Sequence, residues 1–381
     1  GEPLSRRRAA GRRLFASVLF LVLVAAACGD SDDDATTDTT AAEATDSTES
    51  ESTEAPDDTE AATDTTEAAP ETTTAEGDDA TAATATIGIV NIAPVAALEL
   101  VNDGFTDGMG ECAAVDATLD YRNAEGDGSQ LAPIVAEFLD SDVDLILAIS
   151  TPVLQATVAA NEADGRGTPV LFGAVTDPFA AGAAAGPDDK PDWLAGWQAD
   201  APVVGMFDIA AEINPEATTI GVAYDPSQVN SEVALAKMEA EAEARGWTVE
   251  TATIGDSSEV GTAANSLATR DIDFFFVPTD SILVNGLAGM AQVADDFDIP
   301  MIAQDSGITQ AGAAIGTGLD YYGDGRRNAD YACQILSGQA TPADFPIQQF
   351  SEELVAYSTT NAAAQGIEIP ATVAEVGTDI G

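Results

Sequence analysis

The sequence predicts an α/β protein with two Rossmann-like lobes, each a parallel sheet covered by helices. From residue 86 onward, short apolar runs rich in Val, Ile and Thr alternate with longer helical patterns, the rhythm of strand–helix–strand units. The stretch from 86 to 381 exceeds one ordinary domain and falls where chains divide in two. The rhythm breaks across 180–202, a Gly/Pro/Asp-rich stretch carrying Trp193 and Trp197, which marks a lobe boundary.

The first series is predicted to hold strands over 86–91, 118–122, 145–149 and 170–173, with helices over 96–109, 130–139 and 153–163. The second opens with a helix over 203–213. Strands follow over 219–224, 248–254, 274–277, 301–303 and 314–318, with helices over 232–245, 260–268, 282–297 and 323–336.

Ahead of these lobes the chain reads as an address and a tether. Arg6, Arg7, Arg8, Arg12 and Arg13 precede an apolar run over 14–27, and Ala25-Ala26-Ala27 stands directly before Cys28 and Gly29. This is a lipoprotein signal peptide over 1–27 ending in a lipobox, whose Cys28 thiol is expected to carry the lipid and become the first residue. Arg12-Arg13-Leu14-Phe15 resembles a twin-arginine export core, while the strongly apolar run also suits the general secretory route. From 28 to 85 the chain is almost wholly Thr, Ala, Asp, Glu, Ser and Pro. Such a composition cannot bury enough apolar surface to offset chain entropy, so it is expected to be a disordered tether.

Composition excludes several functions. With 13 Lys plus Arg against 66 Asp plus Glu, a formal charge of −53, a surface that tracks phosphates is excluded, and no nucleic-acid partner is expected. There is no histidine, no Gly-x-Ser-x-Gly elbow and no His/Cys cluster, so the common nucleophile–base pairs and transition-metal sites are missing. No enzyme activity, cofactor or metal is expected. The enzymatic alternative is a hydrolase using Asp280 and Asp305 as a carboxylate pair across a cleft. Once Cys28 is acylated, Cys112 and Cys333 form an even pair in an exported protein, which leaves a disulfide and two separately buried thiols both open.

Two parallel sheets facing one another place their strand-to-helix loops on a shared cleft, since ligands bind beyond the carboxyl ends of such strands. The residues following the strands are small and polar. Asn91, Pro94, Ser150, Thr151, Thr176, Asp177, Asn230, Ser231, Thr279, Asp280, Asp305 and Ser306 are the candidate ligand contacts, with Asp320 and Tyr321 after the last strand. Thr151 and Ser281 sit where helices begin, so hydroxyls and free N–H groups could hold a carboxylate without an arginine. Asp280, Asp305 and Asp320 are the natural partners for an ammonium. Taken singly, each Ser, Thr or Asp before a helix also reads as a plain N-cap.

The chain resembles the ABC transporter substrate-binding family typified by tryptophan/tyrosine-binding lipoproteins, a branch of the type I periplasmic-binding-protein fold. The resemblance covers about 87–375. It rests on Ile87-Gly-Ile-Val, Gly104-Phe-x-Asp-Gly108, Asp120-Tyr-Arg-Asn-Ala-Glu-Gly-Asp127, Val143-Asp-Leu-Ile146, Ile149-Ser-Thr-Pro152, Phe172-Gly-Ala-Val-Thr-Asp-Pro178, Val277-Pro-Thr-Asp280, Gln304-Asp-Ser-Gly307 and Gly318-Leu-Asp-Tyr-Tyr322. Where the family usually carries a His-Pro pair after the first strand, this chain has Ala93-Pro94.

The resemblance implies two lobes joined by a three-stranded hinge. One lobe would comprise 86–200 plus 319–340, the other 201–318 plus 341–381. It also implies that the helix after the second crossing returns beside the first helix, bringing Cys333 to Cys112 as a disulfide. The implied function is a solute-binding lipoprotein of an ABC importer, closing on a small solute such as an amino acid, an aromatic one included. The solute would then pass to a permease and its ATPase. The expected form is a monomer anchored through Cys28 on the extracytoplasmic face of the cell membrane. The alternatives are a sensor that presents its ligand-bound form to a membrane receptor, and a nucleoside-binding lipoprotein.

Overall fold

A computed structural model describes residues 82–349 and 352–381. The expected leader, Cys28 and most of the expected tether lie outside them. The first series runs β1 (Ala83–Asn91), α1 (Ala96–Glu111), β2 (Val115–Asn123), α2 (Leu131–Asp140), β3 (Leu145–Ile149), α3 (Thr151–Asp164), β4 (Val170–Val175) and β5 (Leu194–Gln198). The second runs α4 (Val204–Ile213), β6 (Thr219–Tyr224), α5 (Val229–Arg245), β7 (Thr248–Thr253), α6 (Val260–Ala268), β8 (Phe274–Val277), α7 (Ser281–Asn285), α8 (Leu287–Phe297), β9 (Met301–Ala303) and β10 (Ile315–Leu319). The chain ends with α9 (Tyr321–Leu336), β11 (Gln348–Gln349), β12 (Glu353–Tyr357), α10 (Thr359–Ala364), α11 (Ala371–Val376) and β13 (Thr378–Asp379).

The first sheet has the order β11-β5-β4-β3-β1-β2 with every neighbouring pair parallel. The second has the order β13-β12-β10-β9-β8-β6-β7, in which only β10 and β12 run antiparallel. Because helices cover both faces, central strands are apolar at every position rather than alternating. Leu-Ile-Leu-Ala-Ile in β3 and Phe-Phe-Phe-Val in β8 are buried throughout. Such runs are unambiguous, and β3, β6, β8 and β9 fall where the sequence predicts them, to the residue.

The departures have local causes. The stretch 180–202 is not irregular throughout: β5 forms within it and pairs with β4. Its Leu-Ala-Gly-Trp-Gln sequence lacks β-branched residues, and Gly196 lies so close to Phe172 that a Cβ there would sit 2.6 Å from the Phe172 carbonyl oxygen. The helix expected over 282–297 is two helices broken at Gly286, where a Cβ would run into the Ser257 carbonyl. Segment 341–349, expected with the second lobe, runs along the first sheet, where Gln348 and Gln349 pair with Trp197 and Gln198. The strand β12, next to the short edge strand β13, is largely exposed and carries no continuous buried run.

The chain leaves one sheet for the other after β5, after β10 and between Gln349 and Glu353. After the second passage α9 packs on α1. Their approach depends on glycines, since a Cβ at Gly104 would strike the Tyr322 carbonyl and one at Gly325 the Val101 carbonyl. A disulfide between Cys112 and Cys333, with Cα atoms 6.0 Å apart, ties the far ends of this pair. It closes 221 residues of sequence, worth about 5 kcal/mol in the chain-entropy account. Among the described residues no helix is long and apolar enough to cross a membrane.

Candidate functional site

The loops beyond the strand ends of the two sheets line a shared cavity of about 40 Å³, placed where ligands bind in such folds. From the first sheet's side it is lined by Val95, Ala97 and Leu98 at the start of α1, by Ser150, Thr151 and Pro152 at the start of α3, and by Ala174, Thr176 and Tyr321. The second sheet's side contributes Asn230, Thr279, Asp280, Ser281, Val284 and Asp305. Eight of the sequence-predicted contacts therefore meet here: Ser150, Thr151, Thr176, Asn230, Thr279, Asp280, Asp305 and Tyr321.

Most buried polar atoms in proteins have partners. In this cavity four do not. Ser150 Oγ, Thr151 Oγ1, Asn230 Oδ1 and Thr279 Oγ1 are buried with no hydrogen-bond partner. Ser150 is also the N-cap of the 14-residue helix α3, yet its hydroxyl makes no capping bond and its backbone stands at φ 93°, ψ 158°. A non-glycine residue there is strained, and such strain concentrates at functional sites. The first N–H groups of α3 lack intrahelical acceptors and favour negative charge. Asn230 Nδ2 donates to the Thr279 carbonyl at 2.7 Å, which fixes the amide with its oxygen unpartnered.

Two carboxylates line the second sheet's side. Asp280 is wholly buried and accepts from the Ile282 and Leu283 N–H groups, the Asp225 N–H, the Ser231 hydroxyl and Gln228 Nε2. Burial pushes its carboxyl above the usual range while these donors pull it down. Asp305 is 4% exposed, and its Oδ1 accepts from the Gly307 N–H at 2.7 Å. Burial pushes the Asp305 carboxyl up to about 6, with that single N–H pulling the other way. Tyr321 is buried close by, and burial together with the Asp305, Asp324 and Asp200 carboxylates pushes its hydroxyl well above its ordinary value.

Six predicted contacts do not line this cavity. Pro94 lines an adjoining cavity that also reaches Asp305. Asn91 is buried in a network, with Nδ2 donating to Glu99 at 3.1 Å and to the Tyr121 hydroxyl at 3.2 Å. Asp177 accepts from the Phe179 and Ala180 N–H groups. Ser231 donates to Asp280, Ser306 opens a 3₁₀ turn, and Asp320 caps α9 through the Gly323 N–H. Sequence reasoning missed the apolar lining of Val95, Ala97, Leu98, Ala174 and Val284. Apart from the position of the first three at the start of the first helix, nothing in the sequence separates these from core residues. Among the described residues no group of three or more His, Cys, Asp or Glu is placed to hold a metal ion.

Two α/β sheets whose strand-end loops share one cavity have the architecture of the type I periplasmic binding proteins. Residues 86–379 match the family model of the ABC transporter substrate binding proteins, and the chain belongs to that family. Proteins of this family act on the extracytoplasmic side. A tyrosine-binding protein of Clostridioides difficile is 29% identical over 269 residues, spanning 70% of this chain and 76% of that protein. A structure of an ABC domain in complex with L-Trp from Streptococcus pneumonia has a TM-score of 0.72 at 26% identity, covering 78% of this chain and all of that one. The ligand-free, open structure of a substrate-binding protein with adhesive properties from Clostridium difficile has a TM-score of 0.58 at 29% identity, covering 78% of this chain and 99% of that one.

Proposed function

We propose that this protein captures an amino acid, with aromatic ones foremost, and delivers it to the permease and ATPase of an ABC importer, while tethered as a monomer to the outer face of the membrane through lipid on Cys28. The observation that carries the solute class is the set of unpartnered buried atoms. An α-carboxylate seated at the start of α3 would accept from the Ser150 and Thr151 hydroxyls and the free N–H groups there, without an arginine. The α-ammonium would meet Asp305, the carboxylate with spare accepting capacity, together with Asn230 Oδ1. Val95, Leu98, Ala174, Val284 and Tyr321 leave an apolar space for the side chain.

The relatives support the same class, one being a tyrosine-binding protein and another a structure holding L-Trp. The lobes of this chain also superpose better on that complex than on the ligand-free open structure, 0.72 against 0.58. The Ala25-Ala26-Ala27-Cys28-Gly29 lipobox supports the lipid anchor.

A thermal-shift screen on the full chain, refolded to strip any bound solute, tests the reading. A ligand at a hundred times its Kd adds about 2.7 kcal/mol to the folded state, a rise of roughly 5 °C for a chain of this size. L-Tyrosine, L-tryptophan or L-phenylalanine should give a saturable rise, and nucleosides and sugars none. A rise with a nucleoside or sugar alone, or with nothing, would overturn the amino-acid reading.

A further inference from the structure

The cavity wall formed by the end of β4 has an unusual support. The pairing of β4 with β5 shifts register between Phe172 and Val175, and Ala174, inside the shift, has φ 52°. A left-handed alanine in a strand is held there by its surroundings rather than by its own preference. Its N–H, turned out of the ladder by the bulge, donates at 2.8 Å to Oδ2 of Asp324, a residue 150 positions away. Asp324 lies on the first turn of α9 and is wholly buried. Asn328, one turn on and equally buried, donates through Nδ2 to Asp324 Oδ1 at 3.0 Å. The fit is close on the other side too, since a Cβ at Gly173 would lie 2.8 Å from Val101 Cγ1 and 3.0 Å from Asp324 Oδ2.

Ala174 and Thr176, on either side of the end of β4, both line the solute cavity. Asp324 itself does not. We propose that Asp324, held by Asn328, is a positioning residue for solute binding: by anchoring the Ala174 N–H it sets the bulge of β4 and hence the shape of the cavity wall. Support by a buried carboxylate is costly to the fold. Burial pushes the Asp324 carboxyl up to about 7, against the Ala174 N–H, Arg327 and the Asn328 amide, which favour its charge. A core built for stability alone would place an apolar side chain there. Because α9 follows the second passage between the sheets, the same contact ties the shape of the cavity to the segment where the lobes are joined.

The inference concerns the site assigned above, and its test separates the two. Full-length wild type, Asp324→Asn and Asp324→Ala are compared by amide NMR without solute and by calorimetric titration with L-tyrosine and L-tryptophan. In Asp324→Ala the Ala174 and Thr176 amide resonances should move while those of Thr279 and Asn230 stay, and Kd should rise at least tenfold. Asp324→Asn, which keeps an acceptor oxygen, should bind within about threefold of wild type. A folded Asp324→Ala protein with unmoved Ala174 and Thr176 resonances, or with wild-type Kd, would overturn the proposal. If wild type binds neither amino acid, the amino-acid reading fails, and the positioning role is decided by the resonances alone.

Discussion

Asp280 and Asp305 follow neighbouring strands of one sheet, β8 and β9, both lie almost wholly inside the protein, and both line the same cavity. They nevertheless do opposite things. Asp280 accepts five hydrogen bonds that join α7, the end of β6 and the start of α5, so its charge is spent within the fold. Asp305 accepts a single N–H through one oxygen, which leaves most of its accepting capacity open to a solute donor. Position at a strand end puts a residue near the cleft. The count of donors already turned toward it decides whether it builds the cleft or serves the solute.

The largest expected effect comes from breaking the saturated member. Asp280→Ala leaves the buried N–H groups of Asp225, Ile282 and Leu283 and two side-chain donors without an acceptor, and each such orphan is costly. Folding stability should fall by about 3 kcal/mol or more, read as a lowered urea midpoint, and a midpoint equal to that of wild type would place Asp280 among the solute contacts instead.

Changing the unsaturated member should act on binding and on its pH dependence. The folded value of about 6 for Asp305 lies above the ordinary carboxylate value near 4. In the empty protein this carboxyl therefore costs stability as pH rises from about 4 to about 6, and the cost is constant above that. An ammonium seated beside it favours the charged form. Affinity should thus climb with pH, by up to about tenfold per unit, until about pH 6, and then level. Asp305→Asn should bind roughly a hundredfold more weakly at pH 7, with that climb removed. Asp324 titrates nearby, so the comparison is between the two proteins rather than along one curve. An unchanged pH profile in Asp305→Asn would assign the ammonium elsewhere.

This contrast also marks how far the sequence could be read. Continuous apolar runs such as those of β3 and β8 announce buried parallel strands because no other element needs that composition, and the strand-end loops then follow from topology. Eight cavity residues were legible in that way. The division of labour among them was not, because three of the donors to Asp280, on Ser231, Gln228 and Asp225, lie 49, 52 and 55 positions away in the chain. Asn91, Asp177 and Asp320 show the same limit: a polar residue after a strand is equally suited to a ligand, a turn or a helix cap until its neighbours are known. The apolar lining was illegible for a different reason, since Ala174 reaches the cavity only through a register shift.

The smallest effect sharpens the comparison on the opposite wall. Ser150 holds φ 93° with its hydroxyl buried and unpartnered, which is unfavourable twice over for the empty protein. Glycine adopts that backbone without strain and brings no hydroxyl. Ser150→Gly should therefore stabilise the solute-free protein by about 1 kcal/mol and weaken binding by roughly tenfold, the loss of one hydrogen bond to a carboxylate. Opposite signs are what a contact kept for the solute predicts, and paired denaturation and titration would show them. A substitution that lowered stability and left Kd unchanged would instead make Ser150 a part of the fold, as Asp280 is.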